Sequence, residues 1–170
     1  MPRTTVSPSA TSAATRRKKK STDATSAAVD KVDTSYLQSL MGYNARRAAL
    51  SIIELFLERL APYGLKPVDF SVMSTILHNP GVTSRQLCTA LNLLPPNLVG
   101  LIQSLEARGL IKRQPHPHDG RAVGLHPTVQ GKSLMEQAEQ AASDLEIEKT
   151  ARLTAAQRKT LLDLLQKIYL

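Results

Sequence analysis

The sequence predicts a mainly α-helical domain with a single β-hairpin set between its helices. Three observations carry that expectation. Aliphatic side chains abound while aromatic ones are scarce, with no Trp, two Phe and four Tyr in 170 residues, a balance suited to helix-on-helix packing. Apolar residues recur at helical spacing along most of the chain beyond residue 34. Around residues 110–126 that spacing gives way to two strand-like runs flanking an Asp-Gly turn signal.

Residues 1–33 hold seven Lys/Arg and three Asp among Ser, Thr and Ala. So few large apolar groups cannot offset the entropy of ordering, and the segment is expected to be a disordered basic tail. Its block Arg16-Arg17-Lys18-Lys19-Lys20 either adds phosphate contacts or only solubilises the chain. Leu37, Met41, Asn44, Ala48, Ile52, Leu55 and Leu60 then keep near-helical spacing over about seven turns. Ala61-Pro62-Tyr63-Gly64 ends that helix. Its length exceeds what one small domain needs, so a second chain is expected to cover part of it.

A shorter helix over residues 68–77 closes at Asn79-Pro80-Gly81. Thr83 and Gln86 form a capping box that opens the next, with Leu87, Cys88, Ala90 and Leu91 facing inward. After a turn at residues 92–94, Pro95 and Pro96 stand where a helix start tolerates missing N–H groups. Leu98, Leu101, Ile102 and Leu105 stripe this helix, and Gly109 stops it. Strands are expected at 110–114 and 122–126, with the turn at 115–121. Thr128 caps a long helix reaching about Lys149, striped by Leu134, Met135, Ala138, Ala142 and Leu145. Thr154 and Gln157 make another capping box before the stripe of Leu161, Leu162, Leu165 and Ile168.

The formal charge is +8, shared about equally between the tail and the rest, which favours phosphates or anionic surfaces. The lone Cys88 excludes an internal disulfide. No stretch reaches the ~18–20 apolar residues of a membrane span, and the N-terminus lacks the apolar run of a secretory signal. A cytoplasmic protein with no membrane partner is expected. G-x-S-x-G, H-E-x-x-H and phosphate-cradling glycine loops are all missing, so no catalytic residues and no cofactor are expected.

Two short helices joined by a tight turn, followed by a basic hairpin, make a winged helix-turn-helix over residues 67–127. The second helix of such a unit can enter the major groove. Opposite its apolar stripe stand Asn97, Gly100, Gln103 and Ser104. Amides can pair bidentately with adenine, and Ser can donate or accept; an ordinary solvated helix face would look the same. Lys112, Arg113, His118 and Arg121 gather around the hairpin, which suits minor-groove insertion. Asp119 can hold the Arg121 guanidinium extended. Thr83, Ser84 and Arg85, at the start of the preceding helix, complete the expected DNA-facing set.

Leu105-Glu106-Ala107-Arg108-Gly109-Leu110-Ile111-Lys112-Arg113, then Asp119-Gly120-Arg121-Ala122, then Thr128-Val129-Gln130-Gly131 resembles the signature of the MarR family of bacterial transcriptional regulators. The resemblance runs from about residue 34 to 170. It implies a homodimer joined through the helices of 34–61 and 128–170, a reading helix starting at Pro95, and Arg121 in the minor groove of an operator in the bacterial nucleoid. Two departures stand out: Gly120, where a second wing-tip Arg is common, and Pro127, where Leu usually precedes the Thr. The sequence also resembles the branch controlling nicotinate and related aromatic-acid catabolism. That branch implies a repressor released by a small aromatic carboxylate, such as a hydroxynicotinate-like acid.

Tyr43 and Arg47 are i,i+4 neighbours, and Asn44 interrupts an apolar stripe, where a buried amide requires partners. An Arg fork with a Tyr hydroxyl suits a carboxylate, and Phe70 and Met73 would wall the ring. Dimer-interface hydrogen bonding is the other reading of the same polar residues. Cys88 lies among apolar neighbours, where it packs as a small hydrophobe or senses oxidants. His116, His118 and His126 lack the convergent ligands of a zinc site; contact with phosphate or solvent is expected, and no metal. A protein-binding winged-helix adaptor and a non-specific nucleoid protein are the rival functions. Both are distinguished from a specific DNA binder by the response to salt and to DNA sequence.

Overall fold

The structure is a computed structural model that describes residues 31–116 and 119–170, with the backbone alone at 116 and 119–122. The proposed tail up to residue 30 and His118 lie outside the described residues. From Ser35 to Leu170 the chain forms one compact unit. Its elements are α1 (Ser35–Gln38), α2 (Met41–Leu60), a 3-10 turn (Ala61–Tyr63), α3 (Pro67–His78), β1 (Val82–Thr83), α4 (Ser84–Leu91), α5 (Pro95–Ala107), β2 (Ile111–His116), β3 (Asp119–Pro127), α6 (Val129–Lys149) and α7 (Ala155–Tyr169).

The sequence expects one unbroken helix from Leu37; the structure divides it at Ser39-Leu40. Leu40 is extended, with φ −92° and ψ 128°. Asn44 explains how the break is tolerated, because its Nδ2 donates to the carbonyls of Gln38 at 2.7 Å and Leu40 at 2.8 Å. Asn44 is therefore an exposed residue satisfying carbonyls beside a helix break. This corrects its reading as a buried amide in an apolar stripe.

The helix starts follow local chemistry. Thr83 and Thr154 each cap through a reciprocal bond with the Gln three residues on. Pro occupies the first positions of α3 and α5. Gly64 (φ +61°) and Gly109 (φ +69°) take the left-handed conformation that stops a helix.

The sheet has three antiparallel strands in the order β1-β3-β2, one more than the expected two-stranded hairpin. Two residues of β1 are too few to show periodicity. Val82 pairs with Leu125 and Thr83 with Gly124. The approach is close, since a Cβ at Gly124 would lie 2.8 Å from the Gly81 carbonyl oxygen. The hairpin strands also run further than expected, with Pro115 opposite Val123. Pro is compatible with β2 because β2 is an edge strand.

The core joins the C-terminal end of α2 (Phe56, Leu60), α3 (Val72, Met73, Ile76), α4 (Leu87), α5 (Leu98, Ile102, Leu105), the sheet and α6 (Met135, Ala138, Leu145). Two polar joints lock it. Arg108 donates from Nη1 to the Gly64 carbonyl and from Nη2 to that of Tyr63, both at 2.9 Å. Thr128 Oγ1 donates to the Gly109 carbonyl at 2.6 Å and accepts from the Gly131 N–H at 3.0 Å. A Cβ at Gly131 would overlap the Leu110 carbonyl oxygen. Pro127 pairs with Ile111 and ends β3 directly before the Thr128 cap, so its replacement of Leu leaves this joint intact.

Candidate nucleic-acid interface

α4, the turn at residues 92–94 and α5 form the helix-turn-helix. Asn92 takes the left-handed conformation at φ 49°, which Asn tolerates better than most residues. The Leu93 N–H closes the turn on the Cys88 carbonyl at 3.0 Å. Burial of Leu87, Leu98, Ile102 and Leu105 turns the opposite face of α5 outward. Asn97, Gly100, Gln103 and Ser104 are all exposed there. The side chains of Asn97, Gln103 and Ser104 make no hydrogen bond among the described residues. A Cβ at Gly100 would have nothing within 4 Å.

Ser84 and Arg85 are exposed at the α4 N-terminus. Thr83 differs, because its hydroxyl donates to Gln86 Oε1 at 2.9 Å and accepts from the Gln86 N–H at 3.3 Å. Capping occupies it. Cys88 is half-buried against the core and lines a 320 Å³ groove between α4 and α5.

On the wing Lys112 is exposed. Arg113 Nε donates to Glu106 Oε2 at 3.0 Å, with both side chains about 40% exposed. An ion pair so wet adds little stability, but it ties the wing strand to the end of α5. Asp119 and Arg121 belong to β3. Their side chains, and hence the expected pairing between them, lie outside the described residues. The spacing of Glu106 and Arg113 gave no hint of their contact, which forms only once β2 folds back along α5.

The five expected ligand residues do not meet within one chain. Phe70 stacks edge-on against Phe56, with centroids 5.4 Å apart at 78°. Tyr43 lies thirteen residues before Phe56 on α2, about 20 Å along the axis at ~1.5 Å per residue. Tyr43 is half-buried, and Arg47 is exposed. Met73 has no exposed surface. It supports the core behind Phe70 and cannot wall a ligand, which corrects its expected role. Phe56 and Phe70 instead line a 410 Å³ cleft between α2, α3 and α6, together with Ser74, His78, Glu139 and Glu146. Ser74 Oγ donates to Glu139 Oε1 at 2.6 Å, and His78 Nε2 lies 3.0 Å from the same oxygen. No group of three or more His, Cys, Asp or Glu side chains converges on a metal position among the described residues. Nor is any described helix long and apolar enough to cross a membrane.

An exposed polar helix face beside a basic antiparallel wing defines a winged helix-turn-helix DNA-binding protein. Sequence comparison narrows the class. A MarR family profile matches residues 63–122. A protein named as a transcriptional regulator of the hcr operon in Thauera aromatica is 30% identical over 130 residues, spanning 76% of this chain and 78% of that protein. The repressor CouR bound to a 23-mer DNA duplex superposes with a TM-score of 0.76 at 34% identity, covering 81% of this chain and 98% of CouR. CouR bound to p-coumaroyl-CoA gives 0.70 at 33% identity, covering 81% and 97%. The chain belongs to the MarR family, whose members are DNA-binding transcriptional regulators rather than enzymes.

Proposed function

We propose that the protein is a homodimeric repressor that grips a near-palindromic operator and is released by a small aromatic carboxylate. One observation carries the dimeric part. Leu161, Leu162, Leu164, Leu165 and Ile168 of α7 are all exposed, and α7 buries no residue in its own chain. Leu50, Ile53 and Leu57 on α2 are exposed as well, at spacings of three and four that share one face. A second copy is the occupant that the family architecture supplies for these faces. Two-fold symmetry then places two α5 helices in successive major grooves, with half-sites in multiples of ~34–36 Å.

In this reading Asn97, Gly100, Gln103 and Ser104 face the bases. Ser84, Arg85, Lys112 and Arg113 meet phosphates, with Thr83 present only as a cap, and Arg121 enters the minor groove. The aromatic body of the effector would sit against Phe56 and Phe70. That cleft joins α2 and α6 of the frame to α3 of the reading lobe, so occupying it can change the spacing of the two α5 helices. Within one chain Tyr43 and Arg47 lie too far from Phe70 to share a small ligand, so the carboxylate grip is proposed to come from Tyr43 and Arg47 of the partner subunit, and CouR bound to p-coumaroyl-CoA supports an aromatic group in the effector. Coupling of this kind typically amounts to ~1–3 kcal/mol and is reciprocal.

Light scattering and DNA titration test the proposal on the full chain. A dimer at micromolar concentration, with affinity that falls steeply with salt and depends on sequence, is expected. A monomer, or equal affinity for all duplexes, overturns it. Calorimetry with hydroxynicotinate, salicylate and p-coumaroyl-CoA tests the effector separately. Phe70→Ala and Arg47→Ala should each weaken binding, and the ligand that binds should lower DNA affinity by the factor by which DNA lowers its own.

A further inference from the structure

The chemistry of α5 is unusual for a helix assigned to base reading. From Pro95 to Leu105 it carries no charged residue, and its first charge, Glu106, is engaged by Arg113. Guanine is read in the major groove chiefly by Arg or Lys donating to O6 and N7. α5 has neither. Its exposed hydrogen-bonding groups are two amides, Asn97 and Gln103, and the Ser104 hydroxyl. An amide offers the donor and acceptor that match adenine N6 and N7.

Val99 is the second part of the pattern. It is 53% exposed, whereas Leu98, Ile102 and Leu105 of the same helix are buried. It precedes Gln103 by four residues, so the two side chains are neighbours on one side of the helix. Their separation along the axis is about 6 Å, comparable to two base steps of ~3.4 Å. Gly100 is the third. Gly in an exposed helix interior is disfavoured relative to Ala, yet among the described residues nothing occupies the space a Cβ would fill. The room is open toward the outside, beside Val99 and Gln103.

We propose that α5 selects A·T pairs, with Val99 packing on a thymine methyl while Gln103 pairs with an adenine about two steps away. Gly100 lets the helix backbone approach closely enough for the short Val side chain to reach. The proposal rests on α5 being the reading helix, and it names the base class that helix takes.

The experiment uses the full chain and a duplex that it selects from a random-sequence pool. An A·T core is expected in each half-site. Thymines in that core are then replaced one at a time by uracil, which removes only the methyl group. At one thymine per half-site wild type should lose about fourfold in affinity, the worth of one buried methyl. Val99→Ala should bind the thymine duplex about fourfold more weakly and be indifferent to the uracil change. Val99→Thr, which keeps one methyl, should recover part of the discrimination. Val99 is exposed, so an unchanged melting temperature certifies the fold of each variant. Selection of a G·C core, or equal sensitivity to uracil in wild type and Val99→Ala, overturns the proposal while leaving α5 as the reading helix if Gln103→Ala still shifts base preference. If Gln103→Ala shifts nothing, α5 does not read bases, and the wider assignment falls with it.

Discussion

α5 buries Leu98, Ile102 and Leu105 against its own chain, whereas α7, carrying four leucines and an isoleucine, buries nothing. Both helices are amphipathic and both begin at a well-formed N-terminus. The difference lies in what each apolar stripe meets. The α5 stripe meets α4, the sheet and the body of the core, and its outward face is polar. The α7 stripe is exposed. Amphipathic spacing thus reports that a face will be covered, but not by which chain. The same division runs through α2, which is buried at Phe56 and Leu60 near its end and exposed at Leu50, Ile53 and Leu57.

The sharpest way to break this contrast is to charge the open stripe. Leu161→Asp with Leu165→Asp should give a monomer by sedimentation velocity. It should also lower operator affinity by roughly 10²-fold or more, since the second half-site no longer binds in the same molecule. The winged lobe should keep its fold. A variant that still sediments as a dimer would show that another face joins the chains.

Inside the lobe, Gly131→Ala should cost about 3 kcal/mol, because the new Cβ must displace the Leu110 carbonyl and the α6 start with it. Urea denaturation at fixed protein concentration measures this. Arg108→Ala should cost about 2 kcal/mol by the same measurement, since two carbonyls lose a charged donor. A smaller loss for both would mean that the lobe is less tightly determined than its packing indicates.

On the frame side Thr154→Ala should remove about 1 kcal/mol by deleting the cap of α7. Lys159→Ala, which breaks an exposed i,i+4 pair with Asp163, should change stability by about 0.5 kcal/mol or less and only at low salt. Finding that Lys159 matters more than Thr154 would place it at a covered surface.

The capping boxes, the proline helix starts and the glycine stops were legible because each depends on residues a few positions apart. β1 was not, since two residues show no period and the strand exists only because Gly81 and Gly124 let the backbones approach. The break before α2 was hidden for a different reason: Leu37 and Met41 keep helical spacing across it, and Asn44 looked like an intrusion rather than the group that satisfies the broken turn. The polar face of α5 could be read from the stripe opposite it. The five-residue ligand site could not be assembled from sequence, because helical spacing places Tyr43 and Phe70 on plausible faces without fixing their separation along α2. Much of the family signature proves to be joinery. Arg108, Gly109, Thr128 and Gly131 hold α5, the wing and α6 together.

The open stripe of α7 has a genetic consequence. If the proposed dimer is joined through α7, then in a cell making both wild-type and altered subunits a chain damaged at the wing but intact in α7 should still find a wild-type mate and spoil the pair. With equal synthesis only about one dimer in four is then fully functional, by random pairing of two kinds of chain. Lesions in the reading lobe should therefore be dominant. Lesions that charge α7 withdraw the damaged chain from pairing and should be recessive, so a simple dominance test on random mutants would map the two regions without a single binding measurement.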